Sequence, residues 1–262
     1  MYIRTILIAL AIKHNGNWES ILKDLQLKEF PKIEEAIELV SQIKCNVLTI
    51  FDSDYPQYLK ECYMPPFVLF YKGDISLLNN PEKHLAVVGT RNPSKYAIDA
   101  TKEIVKGVAK EYVVVSGMAS GIDRIAHEVT IDNGGKTIAV IGHGFNYCFP
   151  NENRDIYKKM QKEHLVISEY PPNCPPTGDN FPPRNRIIAQ LSRCVLITEG
   201  GLRSGTFITA NYALTFNKDV LCLPSSDLNN SLCNRLIREG AILVESSEHV
   251  REMMERISYY RK

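Results

Sequence analysis

The sequence predicts an α/β protein, a doubly wound and mostly parallel sheet preceded by a small N-terminal helical domain. Three observations carry that expectation. From residue 85 onward one unit recurs: an apolar β-rich run, a turn with Gly or Pro, then a helical stretch. The runs, at 85–88, 112–115, 137–141, 165–167, 195–198, 220–223 and 242–244, are nearly continuous in apolar residues rather than alternating, as strands covered on both faces are. Polar or glycine-rich turns follow one run after another, at the strand ends where such a sheet holds its ligands.

The chain of 262 residues is long enough for one or two domains at roughly 150 residues each. Its 31 Lys and Arg against 30 Asp and Glu give a net charge of +1, so any affinity for polyanions must come from local patches. Seven cysteines, with no Cys-x-x-Cys pair and an odd total, speak against a zinc site or a disulfide framework and suit a reducing cytoplasm. The apolar run after Arg4 superficially resembles a signal peptide, but it stops at Lys13 with no small-residue cleavage site, so a buried helix is expected there. No other stretch is long enough to span a bilayer.

In chain order, 2–44 is helical and strand-poor. Asn17 suits the cap of a helix carrying Trp18, Ile21 and Leu25, and Pro31 the first turn of another carrying Ile33, Ile37 and Val40. Three short helices over 1–46 form a packing or dimerisation module, with no basic recognition helix of a DNA reader. Residues 47–84, dense in aromatics and prolines, read as an extended connector packing on the core, with one short strand at 68–71. Residues 85–262 form the sheet domain.

The turns supply candidate ligand groups. Gly89-Thr90-Arg91 follows the first run and Ser116-Gly117 the second; Gly142-His143-Gly144 follows the third, and Glu199 with Arg203-Ser204-Gly205-Thr206 the fifth. Glycine admits a phosphate close to the backbone, and Ser, Thr and Arg donate to it. The stretch 181–210 is central: Phe181, Arg184, Asn185 and Arg186 come first, then a helical stretch, an apolar run, and a Gly-rich turn opening a further helix. A helix opened that way seats an anion. Gly-x-Gly-x-x-Gly is absent after the first run, which argues against a nicotinamide or flavin, and no cofactor is expected.

Together, Gly89-Thr90-Arg91, Ser116-Gly117 with Gly121-Ile122-Asp123, Ala126-His127, Pro150 with Asn153, Ser168-Glu169-Tyr170-Pro171, Phe181 with Arg184-Asn185-Arg186, Ser204-Gly205-Thr206 and Cys233-Asn234-Arg235 resemble the DNA processing protein A family (DprA, also called Smf). The resemblance runs from about 55 to 244. It implies an extended Rossmann-like domain that binds single-stranded DNA, forms homodimers and helps load the RecA recombinase onto incoming DNA in natural transformation. It places DNA contacts at Arg91 and Phe181 and adds Asn153 to the candidate site. Gly178 stands where some relatives use a lysine. Gly200-Gly201, Ser225 and Leu232 depart from the family pattern, and no winged-helix segment of the longer members is expected.

Binding a single strand without sequence preference takes cations for phosphates and flat side chains for bases. Arg91, Arg184 and Arg186 offer the first and Phe181 the second. Two roles are open to Arg184 and Arg186, phosphate contact or an ion pair with Glu169 or Glu199, and one of them is expected to take the pair. Asp123 and His127, four apart, suit capping and packing better than catalysis. An enzyme is the competing reading: the turn 199–206 also resembles that of the lysine decarboxylase-like (LOG) phosphoribohydrolases, which cleave nucleoside monophosphates, although the acidic pair expected after Gly-Thr is missing. A nucleotide-sensing module without turnover would use the same pocket.

Overall fold

The structure, a computed structural model, describes residues 2–260. Three helices, α1 (Tyr2–Lys13), α2 (Trp18–Leu27) and α3 (Ile33–Ser41), come first. Asn17 caps α2, its side chain accepting from Ser20 N. α3 begins two residues later than Pro31 suggested, with Lys32 at its cap.

Strands β1 (Asn46–Thr49) and β2 (Val68–Gly73) flank the short helix α4 (Gln57–Lys60). Then β3 (His84–Val88), α5 (Lys95–Val108), β4 (Val113–Ser116), α6 (Ile122–Asp132), β5 (Thr137–Ile141), α7 (Arg154–Glu163) and β6 (Leu165–Ser168) alternate. They are followed by α8 (Phe181–Leu191), β7 (Cys194–Ile197), α9 (Gly205–Thr215), β8 (Asp219–Cys222), α10 (Leu232–Arg238), β9 (Ile242–Leu243) and α11 (Ser247–Tyr260). All seven expected runs are strands, and Phe181, Arg184 and Arg186 lie in the first two turns of α8 rather than ahead of a helix.

One nine-stranded sheet has the order β1-β2-β6-β5-β4-β3-β7-β8-β9. β3 to β9 are parallel, and β1 and β2 join antiparallel. The stretch expected as a connector is thus part of the sheet. β2 holds Phe70 beside Ser168 and Gly73 beside Leu165, while the four-residue β1 was too short to read from Asn-Val-Leu-Thr. Gly73 sits with φ +100 where a Cβ would run into the His164 carbonyl, so this pairing needs glycine.

The helical unit shares its core with the sheet. Leu7, Ile8, Leu10 and Ala11 of α1 pack with Val68 and Phe70 of β2, Ile141 of β5, and Ile156 and Met160 of α7. Trp18 stacks on Phe67 with ring centroids 5.2 Å apart and donates Nε1 to Pro65 O at 2.7 Å, while Tyr55 donates to Pro66 O. The carbonyls of Pro65 and Pro66 thus anchor the two aromatic side chains. α8, α9 and α10 cover the other face over Val88, Val140 and Ile197. The strand order reverses between β3 and β7, and the loops after these strands part there to open a crevice.

Candidate nucleic-acid interface

The crevice is a trough of about 530 Å³ lined by Gly89, Thr90 and Arg91 from the β3 turn, Phe181, Arg184 and Asn185 from α8, and Ser204, Gly205 and Thr206 at the start of α9. Thr90 N donates to Glu199 O at 2.9 Å and Ile122 N to Thr90 O at 3.2 Å, which binds the β3 turn to both neighbouring loops. Gly89 is required here because a Cβ would stand 2.6 Å from Ile122 Cγ1. Ser204 caps α9, accepting from Phe207 N, so the positive end of an eleven-residue helix opens on the trough.

A second, smaller slot of about 60 Å³ adjoins it behind Phe181, lined also by Gly117, Gly142, His143 and Phe149. Phe149 and Phe181 are stacked with centroids 5.7 Å apart and planes 23° from parallel. The guanidinium carbons of Arg91 and Arg184 lie 5.7 and 5.8 Å from the centre of the Phe181 ring. Gly142 forms the floor: a Cβ there would meet the Phe181 ring edge at 2.7 Å. Phe149 is 44% exposed and Arg91 is exposed, so this aromatic and cationic cluster is open to solvent. The aromatic beside Pro150 was the available sign of Phe149, and sequence reasoning passed it over.

Arg184 has a different environment from Arg91. Its Nη1 donates to the carbonyls of Gly117 and Val140, and its Nε to Asn185 Oδ1 at 3.0 Å. Burial pulls its pKa down to about 10, against the attraction of Asp123. Asp123 Oδ2 in turn accepts from Gly117 N and Ala119 N, both at 3.2 Å; burial raises its pKa, outweighing Arg184. Gly117 is the spacer between the two, since a Cβ would lie 2.7 Å from Asp123 Oδ2 and 2.9 Å from Arg184 Cζ. Arg184 thus carries positive charge in the wall of the trough while its donors hold the β4 and β5 ends together.

Several of the expected site residues make internal contacts. Arg186 is 1% exposed and grips both carboxylate oxygens of Glu169 at 2.8 and 2.6 Å, while its Nε reaches Met64 O at 3.1 Å. It therefore takes the ion pair left open between the two arginines, and lines neither cavity. Ser116 donates to Val87 O inside the sheet. Asn153 is buried and staples the β4 loop, donating to Met118 O at 2.8 Å and Ala119 O at 3.2 Å. Glu199 accepts from Ser94 N at 2.8 Å and so fastens the start of α5. Asn185 lines the trough and also donates to Gly205 O. Arg203 is exposed on the turn before α9, beside the trough rather than in its wall. No cluster among the described residues could hold a metal ion, and no described helix is long and apolar enough to cross a membrane.

The chain has relatives in both sequence and fold. The family model for DNA recombination-mediator protein A matches residues 46–255. DNA processing protein DprA of Streptococcus pneumoniae is 44% identical over 204 residues, 77% of this chain and 72% of the relative. The Bacillus subtilis DprA is 38% identical over 226 residues, 85% of this chain and 76% of the relative. The solved DNA processing protein A of S. pneumoniae superposes with a TM-score of 0.78 at 36% identity, covering 95% of this chain and 92% of that one. That of Helicobacter pylori, whose structure describes a single-stranded DNA binding mode, superposes with a TM-score of 0.71 at 29% identity, covering 82% and 98%. With this match in sequence and in fold, the chain belongs to the DNA recombination-mediator protein A family, the DprA/Smf proteins.

Proposed function

We propose that the rim at the ends of β3, β4, β5 and β7 binds single-stranded DNA, with bases stacking on Phe181 and Phe149 and phosphates meeting Arg91 and the start of α9. The observation that carries the reading is the open cluster of Arg91, Phe149 and Phe181 at the mouth of a trough lined by Ser204, Gly205 and Thr206. A single strand offers unpaired π-faces to such a platform, whereas a duplex hides them in its stack. Gly89 and Thr90 shape the wall of the trough and Gly117 that of the slot, and Arg184 contributes its charge to both. Arg186, Ser116, Asn153 and Glu199 support the loops from inside, and Arg203 extends the cationic margin.

The reading extends by family membership to a homodimer in the cytoplasm that protects incoming DNA and passes it to the RecA recombinase in natural transformation or recombination. On this reading it is a binding protein without turnover, and Glu199, the carboxylate a phosphoribohydrolase would use, serves to hold Ser94 N at the start of α5. The test is a titration of oligonucleotides of both strandedness beside a panel of nucleoside mono-, di- and triphosphates, with mass measured on the same sample. Preference for single strands over duplex and nucleotides, at twice the chain mass, supports it. Saturable binding of a nucleotide with no affinity for single strands overturns it.

A further inference from the structure

A second cationic groove, of about 630 Å³, lies away from the rim between the start of β1, the end of β2 and the last turn of α7. Lys44, Lys72, Lys158 and Lys162 line it, with the amides of Asn46 and Gln161 between them and no carboxylate in its walls. None of the four ammonium groups makes an ion pair with a described residue; Lys72 Nζ rests 5.4 Å from the centre of the Phe145 ring. Like charges converging without a counter-charge repel one another, so the arrangement is relieved by a ligand that brings several negative charges. The lining has no apolar anchor of the kind that holds a protein partner, which favours phosphates over an acidic protein surface.

α7 joins this groove to the rim. Arg154, Lys158 and Lys162 stand at intervals of four, on one exposed face, while Ile156, Tyr157 and Met160 bury the opposite one. At the upper end, Asn153 is bonded to the Met118 and Ala119 carbonyls, and the loop entering α7 supplies Phe149 and Pro150 to the slot. At the lower end Lys158 and Lys162 are already groove residues. Of the carboxylates of α7, Asp155 is engaged by Arg124 at 3.0 Å, and Glu163, next to Lys162, points about a quarter turn off the basic stripe.

We infer that a nucleic-acid strand seated on the rim continues past Phe149 along the Arg154, Lys158 and Lys162 face of α7 into the Lys44 and Lys72 groove. The inference rests on the rim reading and adds the path of the strand beyond it. Arg154 to Lys162 spans about 12 Å of helix, or roughly three phosphates at the spacing of a stacked strand. The track is thus a backbone contact that carries no base specificity.

The experiment compares binding of an oligothymidine of about 4 nucleotides, which the rim alone accommodates, with one of about 15, for the full chain and for Lys158→Ala/Lys162→Ala. Both lysines are exposed, and a melting curve matching the parent protein confirms the fold. The double substitution is expected to leave the short strand unaffected, weaken the long strand about tenfold, and lower the slope of log affinity against log salt by about 1.4. Unchanged affinity and slope for the long strand overturn the track and leave the rim reading standing. Failure of the parent protein to bind either strand overturns both.

Discussion

The guanidinium of Arg91 faces the ring of Phe181 at 5.7 Å, across the gap between the β3 turn and the first turn of α8. Arg91 has no ion-pair partner among the described residues, and both residues border the trough and the slot. A phosphate lying against Arg91 therefore brings its own base within reach of the ring. Arg91→Ala should weaken single-stranded DNA binding and lower the salt slope by about 0.7, the value for one phosphate contact on a single strand. A filter-binding series at several salt concentrations reads both quantities, and an unaltered slope would remove Arg91 from the contact set.

The stacking platform makes the complementary prediction. Phe149→Leu keeps an apolar side chain on an exposed loop but removes the π-face, so affinity should drop by about five- to tenfold, equivalent to roughly 1 kcal/mol of base stacking. The salt slope should stay as it is, because no counterion is released by a ring. Fluorescence anisotropy on the same strand as for Arg91→Ala separates the two contributions. A lowered slope in the Phe149 variant would mean that the loop is displaced rather than the stack lost.

Much of the sheet was legible because a strand buried on both faces leaves a near-continuous apolar run, as at 137–141 and 194–197. β1 was not, since Asn46 to Thr49 is short, and its pairing with β2 is a long-range fact that local composition does not carry. In the site, Arg91 and Phe181 stood out by residue type beside turns. Arg184 and Arg186 could not be separated by sequence, being two apart in the same motif. Two positions on a helix differ by about 200° in direction, which sends Arg184 into the trough wall and Arg186 toward Glu169 on the far side. Phe149 was missed because its role depends on the ring of Phe181, which only the fold brings beside it.

The Arg186–Glu169 pair predicts a stability effect distinct from binding. Arg186→Met leaves the Glu169 carboxylate, itself 4% exposed, without its counter-charge and frees the Met64 carbonyl. Loss of one partner of such a pair costs about 3–5 kcal/mol. The double substitution Arg186→Met/Glu169→Gln should cost clearly less than the sum of the single ones, since no unpaired charge remains buried. Urea unfolding of the three variants closes the cycle, and strict additivity would show that the two side chains act independently.

Glu199 bears on the competing enzymatic reading. Its carboxylate accepts from Ser94 N at the start of α5, a bond that holds the β3 turn in place. Purified protein incubated with nucleoside monophosphates should release no free base on chromatography. Steady release that disappears in Glu199→Gln would instead make the trough a hydrolase site.

His127 predicts how stability follows pH. Thr137 donates its hydroxyl proton to Val114 O at 2.7 Å, so at 2.6 Å it accepts from Nδ1–H of His127, leaving Nε2 as a buried acceptor without a described partner. Protonating that nitrogen would place a charge where nothing can receive its hydrogen bond, and burial, helped by His164 and Arg184, lowers the pKa from 6.5 to about 3. Between these values the unfolded chain binds the proton and the folded chain does not, so stability is full above about pH 6.5 and falls as the pH drops toward 3. His127 alone should account for a loss of about 2 kcal/mol between about pH 7 and pH 5. His84, His143 and His164, whose pKa values burial also lowers, add to the total in the same direction. In His127→Gln the amide can still donate to Thr137, and the fall over this interval should shrink by about that 2 kcal/mol in urea titrations. A variant that loses stability as steeply as the parent would place the titrating group elsewhere.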